Sequence, residues 1–234
     1  MRHHIGLLSE AYSYATYRDR VFATIAFVRH SFQYVADHKS EVKQAIAAAQ
    51  ARAPQRLCLR QRTKMSDDTI TVLGYEPTPR GAPLGEPRGH VVRHDLSSES
   101  TLSVAMPHAY LLPADAASVI ENLRLHGAHL ETLTREARLE VEVYRIESIT
   151  RSRRDYEDHN MLEVDVESRT EPRTFAAGTV LVRTKQPLGT LAAYLLEPQA
   201  EDGLCAWNFF DDRVAEGADF PVVRVLLQTE FETR

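Results

Sequence analysis

Leu139-Glu140-Val141-Glu142-Val143 and Leu162-Glu163-Val164-Asp165-Val166-Glu167 carry the clearest periodicity in the chain. Apolar and acidic residues alternate, so each segment puts its aliphatic side chains on one face and its carboxylates on the other, as a half-buried strand does. The charged stretch from Arg151 to Asn160 between them reads as a loop, and an antiparallel pair is the simplest connection. Like-charged rows would repel if they lay directly opposite, which restricts the register.

Downstream, a strand is expected near Thr179 to Val182, then a short helix after Pro187 through Leu191, Tyr194 and Leu195, closed by Pro198. Val222 to Leu227 reads as a last strand. Upstream, Pro113 opens a helix through Ala117, Ile120 and Leu123 that ends before Gly127, with proline in the first turn and glycine just past the end. From Glu76 to Gly89, seven of fourteen residues are Pro or Gly, which disfavours helix and central strand and predicts a loop. Short strands are expected at Leu57 to Leu59 and Ile70 to Leu73.

Before Pro54 the pattern is helical. Val21, Ile25, Val28, Phe32, Val35, Val42, Ile46 and Ala49 recur at steps of four and three, with one step of seven, and so form a single stripe. An unbroken helix from Tyr17 to Ala51 would be roughly 50 Å long, which predicts an overhang or a kink, or two helices in line. A short apolar run, residues 4 to 9, precedes it. No internal repeat of useful length is found.

The chain has 234 residues, 43% hydrophobic and 26% charged, which excludes a mostly disordered or collagen-like chain and allows one large domain or two small ones. Its net charge of −5 gives no general basic excess for a nucleic-acid backbone. No window approaches the ~18 apolar residues of a membrane span. The four-residue apolar stretch before Glu10 is too short for a signal peptide, so the chain, if complete as written, is expected in the cytoplasm. Cys58 and Cys205 lack Cys-x-x-Cys spacing; two reduced, partly buried thiols are favoured over one bridge.

Few residues group as chemistry requires. His38-Lys39-Ser40-Glu41 has the His-x-x-Glu spacing at which an imidazole and a carboxylate share a metal, but no third ligand is identifiable, and the ordinary reading is a solvated helix rim. His126 and His129 straddle a helix end, where histidine is favoured electrostatically. The strand carboxylates have the oxygen chemistry of a calcium site, yet alternating Glu is the usual pattern of a half-exposed sheet. Ser9, Glu10, His3 and His4 are hydrolase residue types without a Gly-x-Ser-x-Gly elbow. Trp207, in Trp207-Asn208-Phe209-Phe210-Asp211 with Tyr194 nearby, reads as packing, with a binding face as the alternative.

Ile5-Gly6-Leu7-Leu8-Ser9-Glu10-Ala11-Tyr12-Ser13-Tyr14, then Tyr17-Arg18-Asp19-Arg20-Val21 and the long helix, resemble the end of the catalytic domain in bacterial zinc carboxypeptidase-like proteins of the carboxypeptidase A-like metallopeptidase family. Ala109-Tyr110-Leu111-Leu112-Pro113, Glu140-Val141-Glu142-Val143-Tyr144, Gln186-Pro187-Leu188-Gly189-Thr190-Leu191-Ala192, Leu195-Leu196-Glu197-Pro198, Asp202-Gly203-Leu204 and Trp207 to Asp211 resemble the β-rich extension that follows that domain.

The resemblance implies an α+β chain: residues 1–53, a short strand and long amphipathic helix left from an α/β carboxypeptidase domain, then residues 54–234, a β-rich extension with two short helices. In the family, zinc is held by an early His-x-x-Glu and a later His, and a late-strand carboxylate is the general base toward the zinc-bound water. Glu10 matches that base by its place on the strand before the helix. The zinc-ligand segment, the parallel sheet and the Arg that holds a peptide's terminal carboxylate would precede Met1. His38 and Glu41 come in the wrong order to replace the ligands, and His3 and His4 do not match the late one.

The expected function is therefore the C-terminal portion of a hydrolase that removes C-terminal residues from peptide or protein substrates. Zinc belongs to the intact protein, with none expected on this chain, which would be inactive alone. Intact relatives are commonly exported. The alternative is a non-catalytic β-rich binding module, in which Glu10 is only a strand-end carboxylate. An uncovered helix stripe would promote self-association.

Overall fold

The acidic rows of the two alternating segments never face one another. In the computed structural model, which describes residues 2–52, 54–64, 66–79, 85–94 and 97–234, these segments are β7 (Ala137–Arg151) and β8 (Leu162–Phe175), paired antiparallel. Glu140 lies opposite Pro172, Glu142 opposite Thr170, Glu163 opposite Thr150, Asp165 opposite Ser148 and Glu167 opposite Arg145. This register satisfies the constraint that like charges impose. Within the intervening loop Tyr156 bridges to His159, with Glu157 and Asp158 both at positive φ, the geometry of a tight two-residue hairpin turn.

β7 and β8 form one edge of a six-stranded sheet of order β6-β9-β5-β10-β7-β8, in which every pairing is antiparallel. The other strands are β5 (Ala109–Leu112), β6 (Glu131–Thr132), β9 (Val180–Arg183) and β10 (Val223–Val225). β5 is buried along its whole length because the sheet is covered on both sides. Tyr110, Leu112, Val180, Val182, Tyr144 and Ile146 face the main core, while Ala109, Leu111, Leu181, Val141, Val143 and Val223 face a smaller one that Phe231 helps close.

Two short helices pack into the main core. α3 (Ala117–His126) buries Val119, Ile120 and Leu123, and α4 (Gly189–Leu196) buries most of its length. Gly127 ends α3 at φ +87, where a side chain would be strained, and Ala128 N–H closes the cap on Leu123 O at 3.0 Å. Gly189 is required sterically, since a Cβ there would lie 1.7 Å from the carbonyl oxygen of Thr184. Phe210 and Phe220, both fully buried with ring centroids 4.9 Å apart, fill the space between the helices and the sheet.

The N-terminal part is helical but not one helix. α1 (Tyr17–Asp37) and α2 (Lys39–Ala51) are separated at His38, whose N–H still reaches Tyr34 O at 2.9 Å. The expected interruption of the single long helix is thus present at His38. Its local partner is a stacked pair, the Tyr34 and His38 rings lying 4.0 Å apart. Thr16 caps α1, its hydroxyl accepting from Asp19 N–H at 3.2 Å. Neither helix contains a buried residue.

From Pro54 the chain makes a long antiparallel arm. β1 (Arg56–Lys64) pairs with β4 (Ser97–Ala105), and further out β2 (Thr69–Tyr75) pairs with β3 (Pro87–Arg93). Leu57 and Leu59 root the arm in the core, whereas β2 and β3 are largely exposed.

The α+β class is observed, and several local expectations are corrected. Residues 4–9 form no strand; they lie in an irregular segment with no pairing partner among the described residues, and an isolated strand leaves its backbone groups unmatched. α3 begins at Ala117, four residues after Pro113, because residues 113–116 form a turn closed by Ala116 N–H on Pro113 O. The Pro- and Gly-rich loop is shorter than Glu76 to Gly89, since Pro87 and Gly89 belong to β3 on an exposed two-stranded arm that tolerates them; its Gly81 and Pro83 lie outside the described residues. The last strand covers only Val223–Val225. Cys205 is buried but Cys58 is exposed, as it sits on the outward face between Leu57 and Leu59; both are free.

Candidate functional site

Glu10 lies on the exposed irregular segment before α1, and among the described residues its carboxylate makes no hydrogen bond or ion pair. Ser9 and His4 are exposed and His3 is half-buried; no hydrogen bond joins any of them to Glu10 among the described residues. The structure therefore does not assemble a nucleophile, base and orienting group from these four.

The metal-like spacings are engaged elsewhere. His38 uses Nδ1 on Tyr34 O at 2.9 Å and its ring on Tyr34, so it serves the helix joint, while Glu41 sits in the first turn of α2, where a carboxylate complements the helix dipole. His126 contacts Arg2 through Nδ1; burial and then the neighbouring Arg2 charge hold its pKa below the usual value. His129 is held through its backbone, its N–H donating to Gln186 Oε1 at 2.7 Å. Among the described residues no three His, Cys, Asp or Glu side chains gather as a metal would require. The strand carboxylates are dispersed: Glu142 pairs with Arg224 and Asp165 accepts from Ser148.

Trp207 is half-buried, donating Nε1–H to Asp202 at 2.5 Å and meeting the His159 ring edge-on at 5.1 Å. Tyr156 lies 6.1 Å from it on the hairpin turn. These contacts tie the 201–213 segment to the β7–β8 loop, as a packing residue does.

The densest ionisable cluster was not visible as a motif. Tyr110 donates to Glu197 Oε1 at 2.6 Å, and Arg224 Nε lies 2.9 Å from the same oxygen, outside hydrogen-bonding direction. Arg224 also reaches Glu142, the hydroxyl of Tyr144 at 2.9 Å and the carbonyl of Ala105. Burial raises the pKa of Glu197 despite the opposing Arg224 charge, and burial raises Tyr110 and Tyr144 as well. One guanidinium thus links β10, β7, the end of β4 and the residue after α4. Its members lie 80 or more positions apart in three of the four side-chain pairings, so local spacing carries no trace of it.

A second polar group lies on the surface. Arg169 and Arg173 on β8 clamp Asp219, with Arg169 Nη1 2.8 Å from Oδ1, and Glu171 lies between the two arginines. The hydrogen bonds from Arg169, helped by Arg173 and opposed by burial, bring Asp219 down to about 2.

The largest of the clefts described, about 630 Å³, opens where the end of α2 and the N-terminal segment meet the loop that leads into α4. His3, Arg52, Met106, Lys185, Pro187 and Thr190 contribute to its wall. Glu10 does not line it.

No family model and no solved structure matches the chain. Over 130 residues it is 27% identical to carboxypeptidase 2 of Trichophyton tonsurans and 26% identical to carboxypeptidase 2 of Trichophyton equinum. The aligned stretch is 55% of this chain and 23% of each relative, so the match spans about a quarter of the relatives' length. The chain is a distant, partial relative of these fungal carboxypeptidases.

Proposed function

We propose that this chain is part of a zinc carboxypeptidase-like protein that hydrolyses C-terminal peptide bonds, contributing the helical segment after Glu10 and a β-rich accessory domain. The observation that carries this reading is the likeness to two carboxypeptidases over 130 residues. The carboxylate of Glu10, exposed and without a partner among the described residues, accords with it, because a general base must be free to take a proton. So do two helices in which no apolar side chain is fully buried among the described residues, Phe22, Ile25 and Phe32 of α1 being largely exposed.

The described residues do not fit zinc, for no set of three ligating side chains gathers among them. No catalytic step is therefore assigned to this chain beyond the candidacy of Glu10. The Arg224 cluster is structural in this reading, since Arg224 and Glu197 are buried and the guanidinium spends its Nη groups on Glu142, Tyr144 and Ala105.

The test compares the 234-residue chain with a form extended upstream by whatever the reading frame encodes. Zinc content and carboxypeptidase activity appearing only in the extended form, with activity lost in its Glu10→Gln variant, is the expected result. Neither zinc nor activity in either form overturns it in favour of a binding module. Stoichiometric zinc on the short chain would overturn the ligand assignment.

A further inference from the structure

We propose that the cleft between the end of α2 and the loop 184–190 binds a small organic carboxylate with an apolar body. The cleft's chemistry is independent of the carboxypeptidase reading. In a chain carrying 33 acidic against 28 basic residues, no described residue lining this cleft is acidic, while Arg52, Lys185 and His3 all line it.

The two permanent cations are unspent. Neither the Arg52 nor the Lys185 side chain makes an ion pair or a hydrogen bond among the described residues, whereas Arg60, Arg151, Arg169, Arg173, Arg183 and Arg224 are all paired. Guanidinium and ammonium groups lining one cavity, with no acidic side chain among its described lining, favour an anion there. Met106, Pro54 and Pro187 provide apolar wall, so the complement is an anionic head on an apolar body rather than a bare inorganic ion.

The wall that presents Lys185 is fixed before any ligand arrives. Gln186 spends its side-chain amide on the protein, Nε2 donating to His129 O at 3.0 Å and to Arg183 O at 2.7 Å while Oε1 accepts from His129 N–H. Thr184 donates Oγ1–H to Pro107 O at 2.6 Å, and Gly189 permits the return of the chain against Thr184. A loop held this way loses little freedom on binding.

The four methionines give a local readout. Met106 lines the cleft and Met161 lines a different one, so methyl carbon NMR of the methionine-labelled chain reports the site and a control together. The probes are N-acetyl-L-leucine, hexanoate, N-acetyl-L-leucinamide and inorganic phosphate. The expected result is a saturable shift of Met106, not Met161, with the carboxylates only, weakened at least tenfold in R52Q/K185Q and retained in K185R. Response to both carboxylates assigns a free organic acid as ligand; response to N-acetyl-L-leucine alone assigns a peptide C-terminus. No shift, an equal shift with the amide or phosphate, or unchanged affinity in a folded R52Q/K185Q chain overturns the proposal.

Discussion

Arg224 and Glu197 meet in the interior, Nε 2.9 Å from Oε1, with side-chain exposures of 4% and 0%. Each came out of water at considerable cost, so the pair depends on the Tyr110, Tyr144, Glu142 and Ala105 contacts around it. Replacing Arg224 with Met leaves Glu197 buried without its cation and removes the side-chain bridge from β10 to Glu142 and Tyr144 on β7. A loss of about 3–5 kcal/mol is expected, measured by urea unfolding. Arg224→Met/Glu197→Leu is expected to recover part of that loss, since it removes both charges.

The Asp219 clamp predicts a pH dependence. Its folded pKa is depressed from 3.8 to about 2 by Arg169 and Arg173, so its contribution is fully present above about 4 and is lost as the pH falls toward 2. The melting temperature of wild type is expected to exceed that of Asp219→Asn at pH 6, with the gap closing between pH 4 and pH 2. A gap that stays constant across that window would refute the assignment.

The apolar side chains of α1 predict association without a stability cost. Phe22, Ile25 and Phe32 are 58%, 56% and 72% exposed. Exposed patches of this kind drive contacts between molecules. The chain alone is expected to self-associate in light scattering. Ile25→Lys/Phe32→Glu is expected to reduce association while changing unfolding free energy by less than about 0.5 kcal/mol. A wild-type chain that stays monomeric at high concentration would count against the need for a covering partner.

The two thiols are expected to react very differently. Cys58 is exposed, whereas Cys205 is buried and its thiol is pushed up to about 12, chiefly by burial. A thiol reagent is expected to titrate one group in native protein and two in denaturant. Fast labelling of Cys205 in the native state would mean that the 201–213 segment opens.

Local pattern was sufficient for the elements whose signals lie within a few residues. The alternation at Leu139 to Val143 and Leu162 to Glu167, the stripe of α1 and α2, and Gly127 after α3 are consequences of side-chain period and φ preference that hold wherever the segment sits. β4 was not legible because Ser97-Ser98-Glu99-Ser100-Thr101 has little apolar content, and it becomes a strand by pairing with β1. Conversely, the apolar run before Glu10 has strand composition but no pairing partner among the described residues.

The sequence by itself determined the α+β class, the breakpoint near Pro54 and the apolar stripe before it. It also brought Glu10 forward through a resemblance. Tertiary structure alone decided that Arg224, Glu197, Tyr110 and Tyr144 share one buried cluster, and that Arg52 and Lys185 line one cleft. The physical reason is that side-chain period reaches only a few residues along the chain, while charge pairing and cavity shape arise between segments that only folding brings together.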